Sequence, residues 1–278
     1  MPELRLLAWP AGHSLSPVMH NAALAELGLP WEYRAVAVPP AELPEAVEAL
    51  RAPGVRGANV TVPHKEAVLP LLDSVSDAAR LCGAVNTISN RDGHLHGDNT
   101  DVHGFLALLQ AAGIEPAGRP GLKTVILGAG GAARAAVYAL AGTAAITIMN
   151  RTRSRAEELA AAFETAAGPL TVAEAGTPPD PETELIVNTT SVGMELAGVD
   201  PDESPLPARV LPPGATVIDM VYRPAVTRLL RDAAARGLPA YNGLEMLVMQ
   251  GAEALRIWTG RQDVPAAAMR GAALAALG

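Results

Sequence analysis

The stretch KTVILGAGGAARAAVYALAG, residues 123–142, decides the fold of the second half of the chain. It begins with an apolar run, passes through a glycine-rich turn and continues as an alanine-rich segment of helical composition. A buried strand that leads through a glycine turn into a helix opens many nucleotide-binding α/β domains. The stretch therefore predicts a parallel sheet with helices packed on its faces.

The glycines in this turn fit a dinucleotide-binding pattern. Gly128, Gly130 and Ala133 match the spacing G-x-G-x-x-A. The first glycine allows a tight turn, and the second lets a pyrophosphate approach the backbone. The helix that follows would offer free N–H groups and a partial positive charge to that anion. A tight strand-to-helix turn without any ligand is the alternative.

The end of the next predicted strand indicates which dinucleotide would bind. NAD-binding folds place an acidic residue about 20 positions beyond the first glycine, where it holds the ribose 2′-hydroxyl. Here Asn150 stands 150 − 128 = 22 positions on, and Arg151, Arg153 and Arg155 follow. Because arginine offers a planar fork of donors to a phosphate, we predict NADP as the cofactor. A solvated helix start is the alternative for these arginines.

Apolar runs alternate with amphipathic stretches along the rest of the chain, which predicts an α/β protein. We predict an N-terminal α/β domain for substrate and catalysis over residues 1–102. A Rossmann-type, doubly wound NADP-binding domain follows over residues 103–240. C-terminal helices over residues 241–278 are predicted to pack back on the first domain.

Local signals predict two helix starts and one further helical segment. Ser16 is predicted to cap a helix whose first residue is Pro17. Ser154 and Glu157 have the spacing of a capping box at the start of another helix. The segment HKEAVLPLLD, residues 64–73, has a helical composition.

Composition limits the classes of partner. The 278 residues carry a formal net charge of −8, without a lysine–arginine block, so we expect no nucleic-acid partner. No run of about 18 apolar residues occurs, and no basic segment precedes an apolar core at the N-terminus, so we expect neither a membrane partner nor a secretory signal. The single Cys82 suits a reducing, cytoplasmic location. The oligomeric state is left open, a homodimer included.

One lysine stands out. The chain has 21 lysines and arginines but only two lysines, Lys65 and Lys123. Lys65 follows a predicted strand in NVTVPHK, residues 59–65. Reduction of a ketone needs an acid that protonates the oxygen, a role that lysine can fill and arginine cannot. Asp101 could orient the ammonium group. On spacing alone, a surface lysine explains the position equally well.

Short polar residues near Lys65 indicate a small ligand that carries hydroxyls and one acid group. Ser14 and Ser16 lie at a predicted helix start, which favours a bound carboxylate. Asn86 ends a predicted strand. His94 and His96 raise the question of a metal, but they lack the spacing of a metal motif, and we predict none.

The chain as a whole resembles the shikimate dehydrogenase family. The resemblance rests on nine motifs in order: HSLSPVMHNAAL, GANVTVPHKEAV, GAVNT, GDNTDVHGF, GAGGAARA, NRTRSRAEELA, NTTSVGM, IDMVYRP and NGLEMLVMQGAEA. It implies two α/β domains and the NADPH-dependent reduction of 3-dehydroshikimate to shikimate, a step toward chorismate and the aromatic amino acids.

Carried over residue by residue, the resemblance implies a catalytic pair, Lys65 and Asp101. The residues that it implies for the substrate are Ser14, Ser16, Thr61, Asn86, Asp101, Tyr222 and Gln250. The residues that it implies for NADP are Asp77, Gly128, Ala129, Gly130, Gly131, Ala132, Asn150, Arg151, Thr152, Arg155, Met220 and Gly243.

Two other functions compete with this interpretation. A quinate/shikimate dehydrogenase that uses NAD would have the same fold, but such relatives carry an acidic residue where Arg151 stands. A non-catalytic, NADPH-binding regulator would be expected to have lost Lys65 or Asp101, and both are present.

Overall fold

Two separate sheets organise the chain. The computed structural model describes residues 1–12, 14–167, 170–195 and 198–278. One compact unit comprises residues 1–104 together with 246–278, and the other comprises residues 105–245.

The helices and strands of the first part of the chain are short. In order they are β1 (Glu3–Ala8), α1 (Ser16–Glu26), β2 (Glu32–Ala37), α2 (Leu43–Glu48), β3 (Val55–Val60), β4 (Ser74–Val75), α3 (Asp77–Cys82), β5 (Thr87–Arg91), β6 (His94–Asp98) and α4 (Asp101–Ala111).

The rest of the chain alternates strands and helices more regularly. In order these are β7 (Leu122–Leu127), α5 (Gly131–Leu140), β8 (Ala144–Asn150), α6 (Arg153–Ala167), β9 (Thr171–Glu174), β10 (Leu185–Asn188), β11 (Thr216–Asp219), α7 (Arg228–Ala235), β12 (Ala240–Asn242), α8 (Leu244–Thr259) and α9 (Ala266–Leu277).

The first unit has a mixed sheet in the order β2-β1-β3-β5-β6-β4. Strands β1, β2 and β3 are parallel, whereas β5 is antiparallel to both β3 and β6. Apolar side chains on one face form a core that includes Leu7, Leu50, Val60, Ile88 and Leu95. The C-terminal helix α9 packs against α1 in the same unit.

The second unit has a sheet in the order β12-β11-β10-β7-β8-β9, and every pairing in it is parallel. Two parallel halves that extend in opposite directions from β7 form the doubly wound arrangement of dinucleotide-binding domains. Its strands are buried, and Val125, Ile186, Val217 and Leu229 contribute to the core.

The α/β fold class with a Rossmann-type domain and returning C-terminal helices is therefore confirmed. The predicted boundaries at residues 102 and 240 remain predictions as functional divisions. The chain passes from one structural unit to the other after residue 104 and again after residue 245. None of the helices in the described residues combines the length and apolar character that a membrane crossing requires.

The helical prediction for residues 64–73 was wrong. This segment forms turns and a short 3-10 helix over Leu69–Leu71. A single helical hydrogen bond joins Val68 N–H to His64 O. Pro70 lacks an N–H group and disfavours helical geometry in the residue before it, so the turn does not continue as an α-helix.

Both predicted helix caps were also wrong. Helix α1 begins at Ser16 itself, and the Ser14 hydroxyl accepts a hydrogen bond from the Ser16 N–H at 3.2 Å. Helix α6 begins at Arg153, one residue before Ser154. The Glu157 carboxylate accepts from Arg153 Nε at 2.7 Å and so does not cap the helix.

Candidate functional site

The sheet of the first unit brings distant polar residues to one edge. Strands β1 and β3 are parallel, so the segments after both strands leave at the same edge. Strand β5 runs antiparallel to β3, and β6 antiparallel to β5. The start of β5 and the end of β6 therefore lie at that edge as well. This topology collects Ser14, Thr61, Lys65, Asn86 and Asp101.

Lys65 and Asp101 form an ion pair at this edge. The lysine lies in the turns after β3, and its backbone oxygen accepts from Val85 N–H at 2.8 Å. Its Nζ atom donates to Asp101 Oδ2 at 2.5 Å. The lysine side chain is 17% exposed and the aspartate side chain 6%, so the pair is shielded while the ammonium still reaches solvent. An oriented ammonium of this kind can exchange a proton with a ligand oxygen.

The side chain of Asn86 connects this pair to its surroundings. Its Nδ2 atom donates to Asp101 Oδ1 at 2.8 Å and lies 3.4 Å from Gln250 Oε1. Its Oδ1 atom accepts from Thr100 N–H at 2.7 Å. All four of these residues are buried. The Asp101 carboxylate thus faces an ammonium on one oxygen and an amide donor on the other.

Two serines lie at the start of α1. Ser14 is half-buried before the helix, and Ser16 is buried as its first residue. The first N–H groups of a helix have no acceptor within the helix and carry a partial positive charge. Hydroxyls placed there can bind a carboxylate. Thr61 is half-buried directly after β3, and its N–H bonds to Leu7 O.

The glycine turn of the second unit has the shape of a phosphate cradle. Gly128 has a φ of 113°, and a Cβ there would lie 2.5 Å from Thr189 Oγ1. A Cβ on Gly130 would meet nothing within 4 Å, so the space in front of that backbone is open. Helix α5 begins at Gly131, and Ala132 lies in its first turn. Ala129 is buried within the turn. This geometry fits a dinucleotide pyrophosphate.

Polar residues at the end of β8 lie beside that turn. Gly128 N–H donates to Met149 O at 2.8 Å, which places Asn150 next to the glycine turn. Asn150 Nδ2 donates to Thr152 O at 2.8 Å. Arg151 is exposed and has no hydrogen-bond or ion-pair partner among the described residues, whereas Arg153 is paired with Glu157. Arg151 is therefore available to an anionic group.

Met220 and Gly243 also meet in the second unit. Gly243 N–H donates to Val221 O at 3.1 Å, and a Cβ on Gly243 would lie 2.0 Å from Met220 O. Only glycine permits this approach. Tyr222 follows in the same segment and is half-buried.

A buried carboxyl that the sequence patterns did not identify anchors this segment. Asp219, the last residue of β11, accepts from Thr227 Oγ1 at 2.6 Å, Val221 N–H at 3.0 Å and Asn188 Nδ2 at 2.9 Å. Burial raises the pKa of Asp219 despite these bonds. By binding Val221 and Thr227, this carboxyl holds together the two ends of the segment that carries Met220 and Tyr222.

The remaining predicted residues are more scattered. Asp77 is exposed in the first turn of α3, in the first unit. Thr152 and Arg155 flank the start of α6.

The histidines that raised the question of a metal contact a serine: His94 Nε2 and His96 Nδ1 both lie 2.9 Å from Ser74 Oγ. Within the described residues, no three His, Cys, Asp or Glu side chains are grouped so that they could hold a metal ion.

Family models match three parts of the chain. Residues 6–88 match the shikimate dehydrogenase substrate binding domain. Residues 117–179 match the shikimate/quinate 5-dehydrogenase family, and residues 243–274 match the shikimate 5′-dehydrogenase C-terminal domain.

Curated relatives match over nearly the whole length. A shikimate dehydrogenase (NADP⁺) of Symbiobacterium thermophilum is 49% identical over 99% of this chain and 94% of its own. The Moorella thermoacetica protein of the same name is 48% identical over 95% and 90%.

Solved structures agree with these relatives. The Thermus thermophilus shikimate 5-dehydrogenase in complex with NADP(H) and shikimate superposes with a TM-score of 0.88, at 43% identity over 100% of both chains. A Corynebacterium glutamicum quinate dehydrogenase in complex with NAD superposes with a TM-score of 0.86, at 31% identity over 99% of both chains. The NADP-linked relatives are thus more similar in sequence than this NAD-linked one.

Proposed function

This chain belongs to the shikimate dehydrogenase family, and we propose that it catalyses the reversible, NADPH-dependent reduction of 3-dehydroshikimate to shikimate. The observation that carries the proposal is the ion pair between Lys65 Nζ and Asp101 Oδ2, at a sheet edge that also holds two serines at a helix start. The reaction would serve the biosynthesis of chorismate and the aromatic amino acids.

Lys65 would supply the proton that the reduction consumes. NADPH, when bound, provides the hydride that the ketone carbon receives. Lys65 Nζ donates a proton to the ketone oxygen, so that the ketone becomes the hydroxyl of shikimate, and in the reverse direction it takes that proton back. Asp101 orients the ammonium and accepts a hydrogen bond from the same substrate hydroxyl.

The other polar residues of the first unit would bind the substrate. Ser14 and Ser16 are suited to the carboxylate because they lie at the start of α1. Thr61, Asn86 and Gln250 are suited to the ring hydroxyls. The family resemblance assigns Tyr222 to the substrate as well.

Residues of the second unit would hold NADP. Residues 128–132 form the turn for the pyrophosphate. The residues proposed for the adenosine 2′-phosphate are Asn150, Arg151, Thr152 and Arg155. Met220 and Gly243 would lie beside the nicotinamide. Asp77 keeps its cofactor assignment from the family resemblance alone.

Arg151 is exposed and has no partner among the residues that the structure describes, which favours NADP over NAD because a guanidinium attracts the 2′-phosphate that NAD lacks. Quinate carries an additional hydroxyl on the carbon that bears the carboxylate. That hydroxyl would crowd the two serines, so shikimate is the preferred substrate. A cytoplasmic location stays a prediction from the sequence, which left the oligomeric state open, a homodimer included.

Turnover of shikimate and quinate with NADP and with NAD, followed by nicotinamide absorbance, tests the proposal. We expect the shikimate and NADP pair to have the highest kcat/KM. Equal or faster turnover of quinate would overturn the substrate assignment. Binding of NADPH without turnover of either substrate would instead favour a non-catalytic regulator.

A further inference from the structure

A buried line of hydrogen bonds extends from Tyr33 in β2 toward the Lys65–Asp101 pair. The Tyr33 hydroxyl donates to Asn59 Oδ1 at 2.8 Å. Asn59 Nδ2 lies 3.1 Å from Thr87 Oγ1, and Thr87 Oγ1 lies 3.1 Å from Asn86 Oδ1. Tyr33, Asn59 and Thr87 are 1%, 4% and 0% exposed, so water cannot substitute for these partners. We call these three residues the polar relay.

From Tyr33 to Thr87 the donors and acceptors of the polar relay follow one order. A tyrosine hydroxyl that donates to Asn59 Oδ1 leaves the Asn59 amide nitrogen to face Thr87. Thr87 Oγ1 accepts from that nitrogen, and its own proton can be donated to Asn86 Oδ1 or to Thr100 Oγ1, each 3.1 Å away. The Asn86 oxygen also accepts from Thr100 N–H at 2.7 Å, and the Asn86 nitrogen faces Asp101 Oδ1. A flipped Asn86 amide would place its oxygen against the aspartate carboxylate, and two acceptors repel.

Tyr33 is itself held firmly. Its ring stacks on His20 with centroids 4.1 Å apart and planes 11° from parallel. Its backbone N–H donates to Asn21 Oδ1 at 2.9 Å, and Asn21 Nδ2 donates back to the Tyr33 carbonyl at 2.8 Å. Burial raises the pKa of the Tyr33 phenol above its ordinary value. The hydroxyl therefore keeps its proton and remains a donor to Asn59.

We propose that Tyr33 and Thr87 are positioning residues for proton transfer. Thr87 contacts the Asn86 amide directly, and Tyr33 acts through Asn59 and Thr87. Together they help to hold the Asn86 amide in the orientation that keeps the Asp101 carboxylate directed at Lys65. Neither residue contacts Lys65 or Asp101 through a side-chain hydrogen bond, so each acts through Asn86. The inference rests on the proposed function, since it assigns Lys65 the proton-transfer step.

Removal of the Thr87 hydroxyl tests the relay. Thr87→Val keeps the shape of the side chain but removes the hydroxyl that contacts Asn86. We expect kcat with shikimate to fall by roughly tenfold to a hundredfold, because small misplacements of reacting groups cost this much. The KM for NADP should not change. Thr87→Ser restores the hydroxyl and should return kcat to within about threefold of wild type.

Ser89 offers a matched control on the same strand. It lies two residues beyond Thr87 in β5, is buried, and its hydroxyl has no partner within the described part of the chain. Ser89→Ala removes a buried hydroxyl without breaking the relay, so kcat should stay within about twofold of wild type. An equal loss in Ser89→Ala and Thr87→Val would overturn the inference.

The decisive measurement repeats Thr87→Val in a Lys65→Ala background. If Thr87 acts through Lys65, the second substitution should change the residual kcat by less than about twofold, because residues that act as a unit are not additive. A packing defect would lower kcat equally in both backgrounds and would overturn the inference. If Thr87→Val does not fold, Tyr33→Phe takes its place in the same cycle.

Wild-type turnover distinguishes a failure of the polar relay from a failure of the proposed function. If wild type turns over shikimate with NADP and a folded Thr87→Val variant has the same kcat, the relay is overturned and the proposed function stays intact. Wild type without any turnover would overturn both.

Discussion

The rings of His20 and Tyr33 stack inside the first unit, with centroids 4.1 Å apart and planes 11° from parallel. The ring nitrogen Nδ1 of His20 lies 2.8 Å from Ser16 O. Burial lowers the pKa of His20 from 6.5 to about 4, because a charged imidazolium would lose its hydration there. The native state therefore keeps this histidine neutral over a range of pH in which the unfolded chain protonates it.

This difference predicts a loss of stability in acid. Between pH 6.5 and about 4 the unfolded state binds one proton more than the native state, so the free energy of unfolding decreases as the pH falls. Above pH 6.5 the imidazole of His20 is mostly neutral in both the native and the unfolded state, so it no longer lowers the free energy of unfolding. The loss amounts to about 1.4 kcal/mol per pH unit and about 3 kcal/mol in total. Urea unfolding at several pH values in this window measures it.

His20→Phe should flatten this part of the profile, because phenylalanine can stack on Tyr33 but does not titrate. His94→Gln is the matched control, since the His94 side chain is 55% exposed. The control should keep the wild-type slope. A His20→Phe variant that loses stability in acid as steeply as wild type would assign the slope to other groups.

A second prediction concerns cofactor choice. Arg151→Ala should raise the KM for NADP by roughly tenfold to a hundredfold, the equivalent of a charge-assisted hydrogen bond of about 1.5–3 kcal/mol. The KM for NAD should hardly change. Arg153→Ala is the control, because the Arg153 guanidinium is paired with Glu157. Equal losses for NADP and NAD in Arg151→Ala would make Arg151 a structural residue.

The serines at the start of α1 give a third prediction. Ser14→Ala and Ser16→Ala should both raise the KM for shikimate. The Ser14 hydroxyl accepts the backbone N–H of Ser16, so Ser14→Ala should also lower the free energy of unfolding by about 0.5–1.5 kcal/mol, the usual contribution of one hydrogen bond. Urea unfolding of both variants measures the difference. A larger stability loss in Ser16→Ala would show that Ser16 supports the helix start after all.

Features encoded by neighbouring residues could be predicted from the sequence. The turn at Gly128 needs only a local glycine pattern, and the parallel sheet of the second unit follows from it. The Lys65–Asp101 contact joins residues 36 positions apart through the register of β3, β5 and β6, which no local pattern specifies. The family resemblance indicated that pair. No sequence pattern pointed to Tyr33, because a tyrosine in a strand has the pattern of an ordinary core residue.

Competition between local interactions explains the wrong helix cap of α6. Glu157 had the spacing of a capping box with Ser154, but the guanidinium of Arg153 lies one helical turn from that carboxylate and binds it. The capping-box pattern considers only Ser154 and Glu157 and does not include the competing ion pair with Arg153. Helix α6 therefore begins at Arg153 rather than after Ser154.

The last prediction separates charge from proton transfer at Lys65. Lys65→Ala should fold and bind NADP, and its kcat should fall by about 10²–10⁴, the usual contribution of a positioned acid or base. Lys65→Arg keeps the positive charge but cannot release a proton near neutral pH, and its planar head places the donors differently. We therefore expect Lys65→Arg to be nearly as slow as Lys65→Ala.

Lys123→Arg is the control, since Lys123 forms exposed ion pairs with Asp180 and Glu182. It should keep the wild-type kcat. A folded Lys65→Arg within about threefold of wild type would show that the position needs charge alone, and proton transfer would then belong to another group or to water.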